Sequence, residues 1–152
     1  MSGVYHANLV ATSVSVAKTL IQLKAGAACV CHILRAVITQ TASTTSTMQR
    51  VQLIRTATAA TVTSFTPVPM HPGDTSTSIG GASATGVNAT AEGGTPSVVL
   101  EESFNILNGF FYIPLPEERI LVPPGAFLSL ALPAAPAAAL TISARLVWQE
   151  IT

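Results

Sequence analysis

The chain is 152 residues long and carries little charge for its size. Charged residues make up 9% of it, hydrophobic residues make up 49%, and the formal net charge is zero, whereas a soluble chain typically carries about 25% charged residues. The few lysines and arginines are scattered, which argues against a nucleic-acid partner. Because net charge opposes association, its absence favours a surface that other subunits cover.

The length predicts one domain, residues 1–152, that buries a core without disulfides or a metal. The first twenty residues contain no basic leader and no export signature, so we expect the protein to be made in the cytoplasm of its host. Cys29 and Cys31 lie two apart in a strand-like run. Side chains so placed are too parallel for an easy disulfide, and we expect two buried free thiols.

In the N-terminal half the sequence predicts four or more strands. Residues 1–15 form either a first strand or an N-terminal arm, and Lys18 to Lys24 is a strand bounded by charges. Cys29 to Thr41 is apolar on both faces, with Cys29, Cys31, Ile33 and Val37 on one of them. Such two-sided burial is typical of a central strand between the core and a neighbouring subunit. Met48 to Arg55 and Thr56 to Thr66 also have strand character.

The middle of the chain changes character. Residues 67–96 consist almost entirely of Pro, Gly, Ser, Thr and Ala, and Asp74 and Glu92 are their only charges. This composition predicts a long loop region. Ser83 to Ala91 has enough β propensity for a weak edge strand inside it.

The C-terminal half has the clearest strand signals. Asn108-Gly109 lies between the strand-like runs Ser97 to Phe104 and Phe110 to Leu115, which predicts a β-hairpin. Ile120 to Val122 then leads into a closing hairpin whose first strand is Phe127 to Leu132. The last strand has alternate residues on one face, which predicts burial of that face: Leu140, Ile142, Ala144, Leu146 and Trp148.

No charge occurs between Arg119 and Arg145, a pattern that resembles a membrane span. Four prolines in this run would each remove a helical hydrogen bond, so we expect no membrane-spanning helix. About eight or nine short antiparallel strands and no amphipathic helix are predicted in all. The expected fold is therefore all-β, a single-domain β-sandwich with jelly-roll-like wrapping.

No set of residues has the pattern of a catalytic or metal site. Gly81 to Thr85 misses the nucleophile-elbow motif at its last position. His71 to Asp74 has the composition of a turn, and Cys29, Cys31 and His32 do not supply the four converging donors of a closed zinc site. We therefore expect no catalytic residue, no cofactor and no enzymatic activity.

Aromatic residues are the candidate contacts with partners. Phe110, Phe111 and Tyr112 are consecutive, so in a strand their side chains alternate and at least one of them leaves the core. We expect this group to contribute to a subunit interface. We also expect the segment around Tyr5 to reach a neighbouring subunit or a protein shell.

The run ILVPPGAFLSLAL, a small-residue connector and the terminal LTISARLVWQE resemble the closing strands of small jelly-roll decoration, or cement, proteins of tailed bacteriophage capsids. The central VPMHPGD and the Gly/Ala/Thr-rich stretch after it are similar to the same group. The resemblance implies a homotrimer that binds the major capsid protein on the outside of the virion. Two other roles stay open: a receptor- or carbohydrate-binding module of a phage fibre, and a neck or tail component.

Overall fold

The computed structural model describes residues 2–74 and 85–152, which form twelve β-strands and one 3-10 turn. The strands are β1 (Ser2–Val14), β2 (Lys18–Lys24), β3 (Val30–Gln40), β4 (Met48–Thr56), β5 (Thr61–Ser64), β6 (Val68–Pro69), β7 (Gly86–Ala91), β8 (Ser97–Asn105), β9 (Phe110–Tyr112), β10 (Leu121–Val122), β11 (Phe127–Leu132) and β12 (Leu140–Ile151). The 3-10 turn, Pro116–Glu118, lies between β9 and β10.

The strands form two six-stranded antiparallel sheets packed face to face. Sheet A has the order β10-β3-β12-β1-β6, with β9 also paired to β3, and sheet B has the order β5-β7-β2-β11-β4-β8. The pairing is nested: the first strand pairs with the last, β2 with β11, β3 with β9 and β10, and β4 with β8. This nesting is the wrapping of a jelly roll. The predicted all-β sandwich is confirmed.

The N-terminal segment belongs to the sandwich. Ser2–Val14 is a 13-residue strand that pairs with β12 from Ser2 to Val14, interrupted by a bulge between Leu9 and Thr12. The alternative of an arm at residues 1–15 is therefore wrong. Because the strand is amphipathic, Tyr5, Ala7 and Leu9 are buried against the second sheet.

The middle of the chain contains three short strands, β5 to β7. β5 lies within the predicted run Thr56 to Thr66 and β7 within Ser83 to Ala91, whereas β6 lies in the predicted loop region. The total of twelve strands exceeds the expected eight or nine. β7 pairs with both β2 and β5, so it is not an edge strand. Residues 83–84 of the predicted strand lie outside the described residues. Short polar strands at the side of a sheet show little hydrophobic periodicity, so the sequence predicts them poorly.

The core lies between the inner faces of the two sheets. The predicted inward face of β12 is confirmed, since all five of its residues are at most 5% exposed. Trp148 is completely buried, and its indole Nε1 donates a hydrogen bond to Glu150 Oε1 at 3.1 Å. From the opposite sheet, Leu128, Leu130 and Leu132 of β11 enter the same core.

A bulge in β3 shifts its buried face. Val147 lies opposite Arg35 and Trp148 lies opposite Ile33, so Leu34 is an extra residue in the pairing with β12. Cys31 and Ile33 face the core before the bulge, and Ala36 and Ile38 are buried after it. The prediction that Val37 shares the face of the cysteines is wrong because the bulge reverses the alternation.

The predicted hairpin at Asn108-Gly109 is also wrong. β8 pairs with β4 in sheet B, whereas β9 pairs with β3 in sheet A, so the turn carries the chain from one sheet to the other. The amides of Asn108 and Gly109 both donate to the carbonyl of Asn105, at 3.0 and 3.2 Å. The β11–β12 connector likewise crosses between sheets instead of closing a hairpin.

The two cysteines are buried free thiols, as predicted. Burial raises the pKa of the Cys31 thiol, and the neighbouring Cys29 and Glu150 raise it further. The Cys31 thiol is therefore kept protonated inside the core. In the part of the chain that the structure describes, no helix is long and apolar enough to cross a membrane.

Replacing a core leucine tests the packing between the sheets. Leu130 is 0% exposed, so Leu130→Ala should lower the free energy of unfolding by about 2–5 kcal/mol. Leu107, which is 46% exposed, supplies the control Leu107→Ala, expected to change it by less than about 0.5 kcal/mol. Urea unfolding measures both, and equal losses for the two variants would contradict this packing.

Substitution of two glycines that have the same backbone conformation distinguishes backbone strain from steric crowding. Gly109 and Gly125 have φ of 77° and 75°, which costs a side-chain-bearing residue about 1–2 kcal/mol. A Cβ at Gly109 would also lie 2.8 Å from the Ile38 carbonyl oxygen, while one at Gly125 meets nothing within 4 Å. Thermal unfolding should therefore show Gly109→Ala to be less stable than Gly125→Ala. Equal midpoints would mean that β3 relaxes away from the turn.

Candidate interaction surfaces

The chain's own loops cover the outer face of sheet B at β2. The Ala60 amide, in the loop before β5, donates to the buried Gln22 Oε1 at 2.8 Å. Glu92, in the loop after β7, accepts from the Thr19 amide at 2.8 Å and from the Thr19 hydroxyl at 2.5 Å. As a result, β2 is buried on both of its faces from Thr19 to Leu23.

The outer face of sheet A carries a groove of about 380 Å³, here called the arginine groove. Its lining includes Asn8, Val10, Arg35, Val37, Phe111 and Arg145. Strand register brings most of these residues together, because Asn8 and Val37 both lie opposite Arg145, and Val37 lies opposite Phe111. Four strands thus place one row of side chains across the sheet.

The cations of this face have few partners. Arg35 makes no hydrogen bond or ion pair with any described residue, and Arg145 Nη2 contacts only the Met70 sulfur, at 3.3 Å. Within residues 2–74 and 85–152, the buried atoms Arg145 Nε and His6 Nδ1 have no hydrogen-bond partner. Burial, followed by the charge of Arg145, lowers the pKa of His6. A carboxylate at this face would pair with guanidinium groups that now lack one.

A second groove, of about 490 Å³, opens at the side of the sandwich between β8 and the segment that follows β9. We call it the acidic groove, and its lining includes Leu100, Glu102, Phe104, Tyr112, Ile113 and Glu118. The Tyr112 hydroxyl donates to the Glu118 carbonyl at 3.3 Å and fixes the 3-10 turn against β9. Burial, with a smaller effect of the Glu118 charge, raises the pKa of Tyr112.

An apolar ridge separates the two grooves. It consists of Phe111, Ile113 and Leu115, whose exposed fractions are 60%, 69% and 64%. Phe111 lines both grooves. Three large hydrophobic side chains at alternate positions of one short segment are therefore exposed to solvent.

The structure separates the four aromatic residues that the sequence proposed as contacts. Phe110 is buried and packs with Phe104 at 5.9 Å between ring centroids, while Tyr112 is half-buried and Phe111 is exposed. Tyr5 is only 2% exposed and faces the core. Tyr5 therefore cannot supply the surface contact predicted for it, and Phe111 is the one of the four that is well exposed.

The motifs that were considered for catalysis or metal binding lie apart from one another in the sequence. Among the described residues, no group of three or more His, Cys, Asp or Glu side chains is placed to hold a metal ion. His71 to Asp74 is a turn, closed by a 3.0 Å bond from the Asp74 amide to the His71 carbonyl, and Asp74 Oδ2 accepts from the Val4 amide at 3.1 Å. Most of the elbow-like motif, residues 81–84, lies outside the described residues.

Sequence reasoning missed the two arginines as a pair. Arg35 interrupts an apolar run and Arg145 lies at an outward position of β12, and both features were visible. Only the register across β12 and β3 shows that the two side chains line one groove.

No protein-family model, curated protein or solved structure matches this chain. Its function is therefore argued from these surfaces.

The lowered pKa of His6 makes stability depend on pH. The folded state keeps His6 neutral below its ordinary pKa of 6.5, where the unfolded chain takes up a proton, so stability should fall as pH drops through and below that value. His6→Gln should make the unfolding temperature decline less over this range. His71→Gln, at an exposed turn, should keep the wild-type decline. An unchanged pH profile for His6→Gln would contradict the assignment.

Proposed function

We propose that this protein is a non-enzymatic virion structural protein, a decoration or cement protein that binds the outside of a tailed-phage capsid as a homotrimer. The proposal rests on one observation above all. The outer face of sheet A, with the apolar ridge at its edge, is open and has few charges, whereas loops of the same chain cover β2 on the outer face of sheet B.

The apolar ridge is the part of this surface that favours a protein partner. A single exposed hydrophobic side chain is ordinary on a protein surface. Three in one short segment, each more than half exposed and beside two grooves, form the kind of patch that marks an interface. Phe111 is the natural anchor, because a large aromatic side chain flanked by polar groups is typical of an interface centre.

Low charge suits a protein that binds a repeating shell. Each contact buries surface, and the cost of burying it rises steeply with the number of ions that lose their water. A chain with 9% charged residues pays little of that cost. A trimer on a shell engages several sites together, so that weak individual contacts add up to firm retention.

The jelly roll itself does not decide the role, since one fold supports many functions. The acidic groove supports a second candidate, the carbohydrate- or receptor-binding module of a phage fibre. Its lining combines the aromatic Phe104 and Tyr112 with the carboxylates Glu102 and Glu118. A concave site with aromatic walls and a few polar groups is also how proteins bind small ligands.

Binding to capsid shells tests the first candidate. Purified protein is mixed with empty, mature shells of the phage whose genome encodes the chain, and bound protein is measured by co-sedimentation. Saturable binding with a fixed number of copies per shell is expected. An absence of binding, together with retention of the protein on a glycan array, would favour the fibre module instead.

Phe111→Ser tests the ridge. Because Phe111 is 60% exposed, the free energy of unfolding should change by less than about 0.5 kcal/mol. If Phe111 anchors an interface, its loss should weaken self-association or shell binding at least about tenfold. Val16→Ser, at a residue 53% exposed in the β1–β2 turn, is the matched control and should leave both unchanged. If Phe111→Ser associates as strongly as the wild type, Phe111 does not contribute to the interface.

A further inference from the structure

Five of the charged side chains without an ion pair fall into two sets. Arg119, beside Glu118, and Lys24, over the Phe127 ring, are also unpaired among the described residues. The one ion pair among the described residues joins Arg50 and Glu101 at 2.6 Å. The carboxylates of Glu102, Glu117 and Glu118 make no hydrogen bond or ion pair in residues 2–74 and 85–152. Arg35 is likewise free, and Arg145 has only its contact with Met70.

The two sets occupy neighbouring surfaces. Glu102 and Glu118 line the acidic groove, Glu117 lies beside Glu118 on the 3-10 turn, and the two arginines line the arginine groove. One groove lies on the outer face of sheet A and the other at the side of the sandwich, with Phe111 between them. The outer face of sheet A therefore carries two unpaired arginines, and the side of the sandwich carries three unpaired carboxylates with one cation, Arg119, beside them.

We propose that these surfaces bind each other in adjacent copies of the chain: the arginine groove of one subunit receives the Glu102 and Glu118 side of the next. The inference rests on the self-association in the proposed function and names the surfaces that produce it. Because the two surfaces differ, the contact is heterologous, and repeating it gives a ring when the rotation between subunits closes. A ring of three gives the homotrimer.

A second copy fits the arginine groove better than an uncharged partner does. A carboxylate at the groove would pair with the guanidinium groups of Arg35 and Arg145, which have no carboxylate partner among the described residues. Phe111 would lie inside the contact with charges around it, which is the usual arrangement of an interface.

Charge reversal tests the pairing. We expect Arg35→Glu with Arg145→Glu, and separately Glu102→Lys with Glu118→Lys, to raise the concentration for half-assembly by about a hundredfold or more. The variant with all four substitutions restores opposite charges across the contact and should assemble again. Sedimentation velocity measures the assembly, and circular dichroism establishes that each variant is folded.

The matched control is Lys18→Glu with Lys24→Glu on β2 of sheet B, which changes the net charge as much as the double arginine variant. It should assemble like the wild type. Added salt should weaken wild-type assembly, because it screens the charges that are not fully buried.

The inference is overturned if either double variant assembles like the wild type, if the folded fourfold variant stays monomeric, or if the wild type is a dimer or a monomer. These outcomes are distinct from failure of the proposed function. A charge-dependent trimer that does not bind shells would refute the decoration role and leave the inference intact. Shell binding by variants that stay trimeric after charge reversal would refute the inference alone.

Discussion

The pairing of β12 with both β1 and β3 is the constraint on which the rest of the structure depends. β12 is the central strand of sheet A, and its inward side chains, including Trp148, form one wall of the core. Because β12 is the last strand and β1 the first, this pairing ties the two ends of the chain together and nests every other pair inside it. The same register sets Arg145 between Asn8 and Val37 and so assembles the arginine groove on the other face.

The two outer faces of the sandwich differ because of where the long connections lie. The loops before β5 and after β7 cover β2 and pair its buried polar groups, such as Gln22 and Thr19, with their own chain. The outer face of sheet A instead keeps half-exposed arginines, with the apolar ridge at its edge. Equal numbers of basic and acidic residues make the subunit neutral as a whole. The proposed contact would join the surface that carries Arg35 and Arg145 to the one that carries Glu102 and Glu118 in the next copy.

The sequence was informative where one face of a strand is buried and the other is not. The alternation from Leu140 to Trp148 correctly predicted the inward face of β12, and the alternation of Phe110, Phe111 and Tyr112 predicted that an aromatic leaves the core. Prediction from the sequence failed where pairing between strands that are far apart in the chain determines the structure. The bulge at Leu34 depends on the register with β12, and an Asn-Gly turn fixes a reversal of the chain but not the sheet in which the next strand pairs. The arginine groove was invisible for the same reason, since it exists only across strands.

The most direct test of the account is the solution mass of the wild-type protein, measured by light scattering over a wide range of concentration. The account predicts a species of three times the 15.6 kDa chain mass over most of the concentration range. At the lowest concentrations this trimer should dissociate to monomers without a dimer intermediate. A strict monomer at every concentration would contradict it, because the open face of sheet A would then have no second copy to cover it.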